Sequence, residues 1–214
     1  MMTREQTQNR KSNMWQLWML ILLFALPAVA AWIFYFNPQW LPQGRTNHGT
    51  LIDPPRPVAS LTLKTPEGGP FDWSPFKDQW TMTVVAEGRC DEQCIEQLIK
   101  VRQIRRAMAA NRQRIERLLI LLPDAAGKLQ LPSLDGLEGT RLAVVDSADE
   151  PATRELFAVA PATIENSLFL IDPRADLMMV HDMSQITSKQ ILQDLEKLLK
   201  ASQSWAQGGQ YGHR

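Results

Sequence analysis

The sequence predicts a small α/β domain carried on a single N-terminal membrane helix. Three observations carry this reading. A charge-free apolar run lies near the start, strand-length β-branched runs alternate with helical periodicity after residue 60, and two cysteines stand where a buried strand meets a helix. The 214 residues suit an anchor plus one domain of roughly 100–150 residues. With 23 basic and 23 acidic residues the net charge is zero. Binding a phosphate backbone needs an excess of Lys and Arg, so no nucleic-acid partner is expected. No repeat or long low-complexity tract is visible.

The anchor comes first. Leu17 to Phe36 is an uncharged apolar run of 20 residues, enough to cross a hydrocarbon core about 30 Å thick. Pro27 falls inside it, which a membrane helix tolerates. Trp15 and Trp18 at one end, and Trp32, Tyr35 and Trp40 at the other, match interfacial aromatic belts. Arg4, Arg10 and Lys11 precede the run against one acid, Glu5, and the next basic residue is Arg45. The positive-inside rule therefore places residues 1–14 in the cytoplasm, a span over 15–36, and the remainder outside. The alternative is a cleaved signal peptide, for which AVAA at 28–31 supplies small residues. The run exceeds a signal core of about 7–15 residues.

Residues 37–60 contain Pro38, Pro42, Pro54, Pro55 and Pro57, with Gly44 and Gly49. Proline fixes φ and removes a donor, so an extended stalk is expected, lying on the domain surface or docking a partner. The domain is expected over 61–201. Leu61 to Lys64 reads as a short strand and Phe71 to Phe76 as an aromatic loop packed on the domain. Trp80 to Ala86 is short and β-branched, as a buried strand is. The helix that follows places Cys94, Leu98, Val101, Ile104 and Met108 on one face. Its other side, with the segment beyond, carries Lys100, Arg102, Arg105, Arg106, Arg112 and Arg114. That is a solvated face or a surface for an acidic partner.

Leu118 to Leu122 is a second buried strand, stopped by Pro123. Arg141 to Asp146 is a third strand or a connector. Leu168 to Ile171 and Leu177 to Val180 flank the turn Asp172-Pro173-Arg174-Ala175-Asp176, a hairpin signal. Thr187 or Ser188 caps a last helix whose apolar face is Ile191, Leu192, Leu195, Leu198 and Leu199. The Gly- and Gln-rich tail, 202–214, is expected to be flexible. Strand, helix, strand, hairpin and helix is the thioredoxin order, so the domain is expected to be thioredoxin-like.

Cys90 and Cys94 are the only cysteines, and a four-residue spacing lets their sulfurs meet. Three readings compete. A structural disulfide would close a loop too short to gain much chain entropy. A redox dithiol would use a helix N-terminus to favour the thiolate, with Arg89 helping and Asp91, Glu92 and Glu96 opposing. A copper clamp would exploit the preference of Cu(I) for thiolates.

WTMTVVAEGRCDEQCIEQL and NSLFLIDPRADLMMV resemble the Sco/SenC family of cytochrome oxidase assembly proteins, over roughly residues 58–200. The chain is also similar to small gammaproteobacterial inner-membrane proteins associated with cytochrome oxidase genes. The resemblance implies a thioredoxin fold in the periplasm of a bacterial inner membrane. It also implies Cu(I) or disulfide exchange at the CxxxC pair, and a cytochrome oxidase subunit or other respiratory assembly factor as partner. The family's copper site adds a histidine just before the hairpin; the matching position here is Asn166, and Ile95 replaces the family's proline after the second cysteine. His181, which the hairpin sets opposite Leu168, is expected either as a substitute third ligand or as a surface or strand-end histidine. Met178 and Met179 could add a thioether, although one of them belongs to the core. His48 and His213 lie in segments expected to be flexible. No Gly-rich phosphate loop, Ser/His/Asp set or zinc spacing stands out. The expected function is oxidase maturation through Cys90 and Cys94. A general thiol–disulfide oxidoreductase, or a non-catalytic module with a structural disulfide, is the alternative.

Overall fold

In the first of two units, helix α1 (Gln6–Phe36) continues the apolar run backwards into the polar N-terminus. Its segment Met14–Phe36 is long and apolar enough to cross a membrane. This computed structural model describes residues 6–37 and 47–202. Arg4, Glu5, Trp40, stalk positions 38–46 and the tail from 203 on, including His213, lie outside the described residues.

The second unit is built on a seven-stranded sheet. Its strands are β1 (Thr50–Pro57), β2 (Leu63–Lys64), β3 (Trp80–Glu87), β4 (Ile115–Leu122), β5 (Thr140–Val145), β6 (Ser167–Ile171) and β7 (Asp176–Asp182). The order across the sheet is β1-β7-β6-β3-β4-β5-β2. Strands β3, β4 and β5 run parallel, while β6, β7, β1 and β2 each pair antiparallel with their neighbours. Helix α2 (Glu92–Ala107) makes the crossover from β3 to β4, and helix α4 (Ser188–Ala201) follows the hairpin. A short helix, α3 (Glu150–Phe157), which the periodicity does not announce, carries Phe157 into the core.

The period-two alternation of the strands divides the core. Trp80, Met82, Val84, Ile115, Leu119, Leu121, Leu168 and Leu170 pack with α2 and α4 on one face. Val85, Leu118, Ile120, Leu122, Phe169 and Ile171 pack with Phe76 and Phe157 on the other. Both faces of β3 and β4 are covered, which is why those strands read as continuous apolar runs. The predicted face of α2 is buried, and Thr187 caps α4 in a reciprocal capping box with Gln190. In the hairpin, Leu168 pairs with His181 as expected. The register shifts between Leu170 and Ile171, so that Met178 is extra, half-buried, and Met179 enters the core.

Residues 50–57 correct the expectation of a spacer. They form β1, paired with β7 at the sheet edge, where missing proline donors cost least. The segment before β1 is pinned by Asp194 of α4, which is 1% exposed. Its Oδ2 accepts the backbone N–H groups of His48 (2.7 Å) and Gly49 (2.9 Å) and lies 3.1 Å from Nε2 of His181. Its Oδ1 lies 3.1 Å from Nδ1 of His48, with Lys197 Nζ at 3.9 Å. Only glycine fits at 49: a Cβ there would stand 2.7 Å from His181 Nε2 and 2.8 Å from Met179 Sδ. Burial pulls the Asp194 carboxyl upward, but the bonds from Gly49, His181 and His48 outweigh it and hold its pKa below the ordinary value.

His181 is fully buried, and burial lowers its pKa despite the opposing carboxylate of Asp194. Facing that carboxylate, Nε2 carries the hydrogen. Nδ1 has no partner, so a second proton would place an unpaired N–H in the core.

Replacing Asp194 by Ala strands the donors it collects, and the unfolding free energy should fall by about 3–5 kcal/mol, read from urea unfolding of the full chain in detergent. A second expectation concerns pH. The unfolded chain protonates His181 near pH 6.5, whereas the folded chain does so only lower. Stability contributed by neutral His181 is therefore present above about pH 6.5 and declines below it, by at most about 1.4 kcal/mol per pH unit. His181→Gln should flatten the dependence of the urea midpoint between pH 6.5 and 5.

Candidate functional site

Strand β3 ends at Glu87, and the chain turns through Gly88, whose φ of +66° favours glycine. The turn is held by the neighbouring loop: Gly88 N–H donates to the Leu122 carbonyl and accepts, at its own carbonyl, the Gln130 N–H, both at 2.7 Å. Asp91 then caps α2 by accepting the Cys94 N–H at 3.0 Å. Cys90 sits one residue before the cap and Cys94 in the first turn. The two form a disulfide with Cα atoms 5.2 Å apart.

The two sulfurs differ in access. Cys94 is 6% exposed and belongs to the core beneath α2, while Cys90 is half-buried. Cys90 lines an open groove of about 410 Å³ with Arg89, Asp91, Glu92, Ile95, Gln130, Leu131 and Pro132. Leu131 and nearby Leu129 are exposed large apolar side chains. The groove thus offers an apolar lip and charged residues of both signs around one reachable sulfur. Ile95, at the position where the family's proline was expected, forms part of the wall.

Asn166 lies beside this helix. Its Oδ1 accepts a hydrogen bond from Gln93, next to Cys94, and the adjacent Glu165 carbonyl accepts from Gln97 at 2.7 Å. Gln97 is buried on the face expected to be apolar, a departure that its polar type within the i, i+3, i+4 stripe could have signalled. His181, expected as a substitute ligand, meets Asp194 through Nε2. Among the described residues no group of three or more His, Cys, Asp or Glu side chains is placed to hold a metal ion. The donor set therefore does not fit the three-ligand copper site that the resemblance implies. His48, expected in a flexible segment, is tied to Asp194. Asp194 itself escapes the sequence reading, although an acid inside the apolar stripe of α4 marks it.

The fold is shared with solved structures. Apo Sco1 from Thermus Thermophilus superposes with a TM-score of 0.55 at 16% identity, covering 73% of this chain and 99% of its own. Yeast Sco1 with copper bound gives 0.52 at 12% identity, covering 73% of this chain and 95% of its own. Another yeast Sco1 structure gives 0.51 at 11% identity over 65% of this chain and 91% of its own. At these identities the likeness establishes a thioredoxin-like fold. No curated protein matches by sequence. Residues 80–202 match the family model described as the transmembrane-like, thioredoxin-like, C-terminal domain. That match runs from β3 through α4, over more than half of the sequence, and the chain belongs to this family.

Proposed function

We propose that the chain is a membrane-anchored thiol–disulfide exchange protein of the bacterial periplasm, working through Cys90 and Cys94 in the maturation of cytochrome oxidase. The observation that carries this is the unequal access of the two sulfurs. Cys90 opens on a groove able to receive a client segment, and Cys94 is buried behind it. An oxidising compartment agrees with a standing disulfide. The family resemblance directs the choice of client toward oxidase assembly.

In the reducing direction, the Cys90 thiolate attacks a client disulfide. A Cys90–client bond forms, the client S–S bond breaks, and one client sulfur leaves as thiolate and takes a proton. The Cys94 thiolate then attacks Cys90 Sγ, closing the Cys90–Cys94 bond and releasing the second client sulfur as thiolate. Two electrons pass from the chain to the client, and the reverse sequence oxidises a client dithiol. The N-terminus of α2 stabilises Cys94 as thiolate in either direction. Arg89 adds positive charge beside Cys90, against Asp91 and Glu92. Copper has no step in this sequence.

Cys94→Ser should trap a client on Cys90, seen as a dithiothreitol-sensitive adduct on a non-reducing gel, and Cys90→Ser should not. The double serine variant should lower oxidase activity in cells while losing at most about 2 kcal/mol of stability, the chain-entropy value of so short a loop. Full oxidase activity in the double variant would make the disulfide structural and sink the proposal.

A further inference from the structure

Five arginines converge on one cavity at the opposite end of α2 from the cysteines. Arg102, Arg105 and Arg106 come from the last turns of α2, Arg112 from the 3₁₀ turn Ala109–Arg114, and Arg117 from β4. With Glu138 they line a space of about 180 Å³. Arg117 is 4% exposed. It shares strand parity with Ile115, Leu119 and Leu121, so its side chain lies under α2 rather than in solvent. The sequence hides this residue inside the run IERLLILL.

The charge there is unbalanced. Arg117 Nη2 donates to the Glu138 carbonyl, but its buried Nε and Nη1 have no hydrogen-bond partner, nor has the buried Nε of Arg102. Backbone bonds fix two neighbours: Arg102 donates to the Gly136 carbonyl and Arg105 to the Ile115 carbonyl. The one acid in the lining, Glu138, turns Oε1 to the Gly136 N–H. Among the described residues, none of the five arginines forms an ion pair with a carboxylate. Burial depresses the Arg117 pKa, and the charges of Arg105 and Arg102 depress it further. A buried guanidinium with unsatisfied N–H groups among like charges is costly to the fold, and stability supplies no reason for it.

We propose that this cavity binds a phosphate-class oxyanion, from a soluble phosphate compound or a lipid headgroup. A tetrahedral anion presents oxygens in several directions at once, which suits guanidinium forks arriving from a helix, a turn and a strand. The unpartnered Nε and Nη1 of Arg117 are donors on different edges of its guanidinium, left open for such an anion. The space is smaller than the roughly 300–1,000 Å³ of drug-sized pockets, so it fits a compact anion rather than a peptide segment.

The test is calorimetric titration of inorganic phosphate into the full chain in phosphatidylcholine nanodiscs. Thermal unfolding is followed in parallel in discs with and without phosphatidylglycerol. One saturable phosphate per chain is expected, or a rise in the unfolding midpoint produced by phosphatidylglycerol. Arg106→Gln/Arg112→Gln removes two outer charges without touching the core and should weaken phosphate binding about tenfold or more, or abolish the lipid effect. Arg117→Met should remove either response altogether. Phosphate binding that persists in phosphatidylglycerol discs identifies a soluble ligand; binding seen only in phosphatidylcholine discs identifies the headgroup. The proposal is overturned if neither probe acts, or if the Arg106→Gln/Arg112→Gln variant responds as the native chain does. Saturation by a Glu-rich peptide with no response to phosphate or phosphatidylglycerol would also overturn it, and would assign the surface to an acidic protein.

Discussion

Strand β3 is hydrogen-bonded on both edges and buried on nearly its whole length, and this single strand sets where everything else must lie. Eight consecutive pairings with β4, from Trp80–Ile115 to Glu87–Leu122, leave no register freedom. The chain therefore leaves the sheet at Glu87 and has only Gly88 and Arg89 in which to turn before Cys90. The cap at Asp91 starts α2 at once, and α2 must cross back over the sheet to reach β4 in parallel. The cysteine pair is thus positioned by the end of a strand rather than by a loop of its own.

Much of this was legible in the sequence because burial and periodicity coincide there. WTMTVVA and LLILL are apolar on both faces, and the stripe from Cys94 to Met108 has one period. The hairpin register follows from its turn, where Asp172 accepts the N–H groups of Arg174 and Asp176. What escaped was polar. Proline made TLIDPPRP look like a spacer, because a strand paired along one edge can do without donors on its other side. Asp194 and Arg117 each occupy a position whose neighbours are apolar, and pattern reading assigns such positions to noise. His181 was placed correctly along its strand, but the acid it meets comes from a helix 13 residues further on.

Two of the buried charges, Asp194 and Arg117, solve the same problem differently. Asp194 is surrounded by donors and is ionised at little cost. Arg117 has one protein acceptor and two idle donors, so its surroundings are complete only with something added. A fold of this size tolerates few such groups, and they stand on the same side of the sheet, Asp194 on α4 and Arg117 on β4 under α2.

Asp194 also has a mechanical meaning. The nine residues 38–46 join the apolar helix to the domain, and the first described residues after them are those held by Asp194. Tension along that connection meets these short charge-assisted bonds before it meets the ladder of β1. The load then passes through α4 into the core instead of unzipping the edge strand from its end. A pull on the segment before β1 is in this way kept from working on the edge of the sheet.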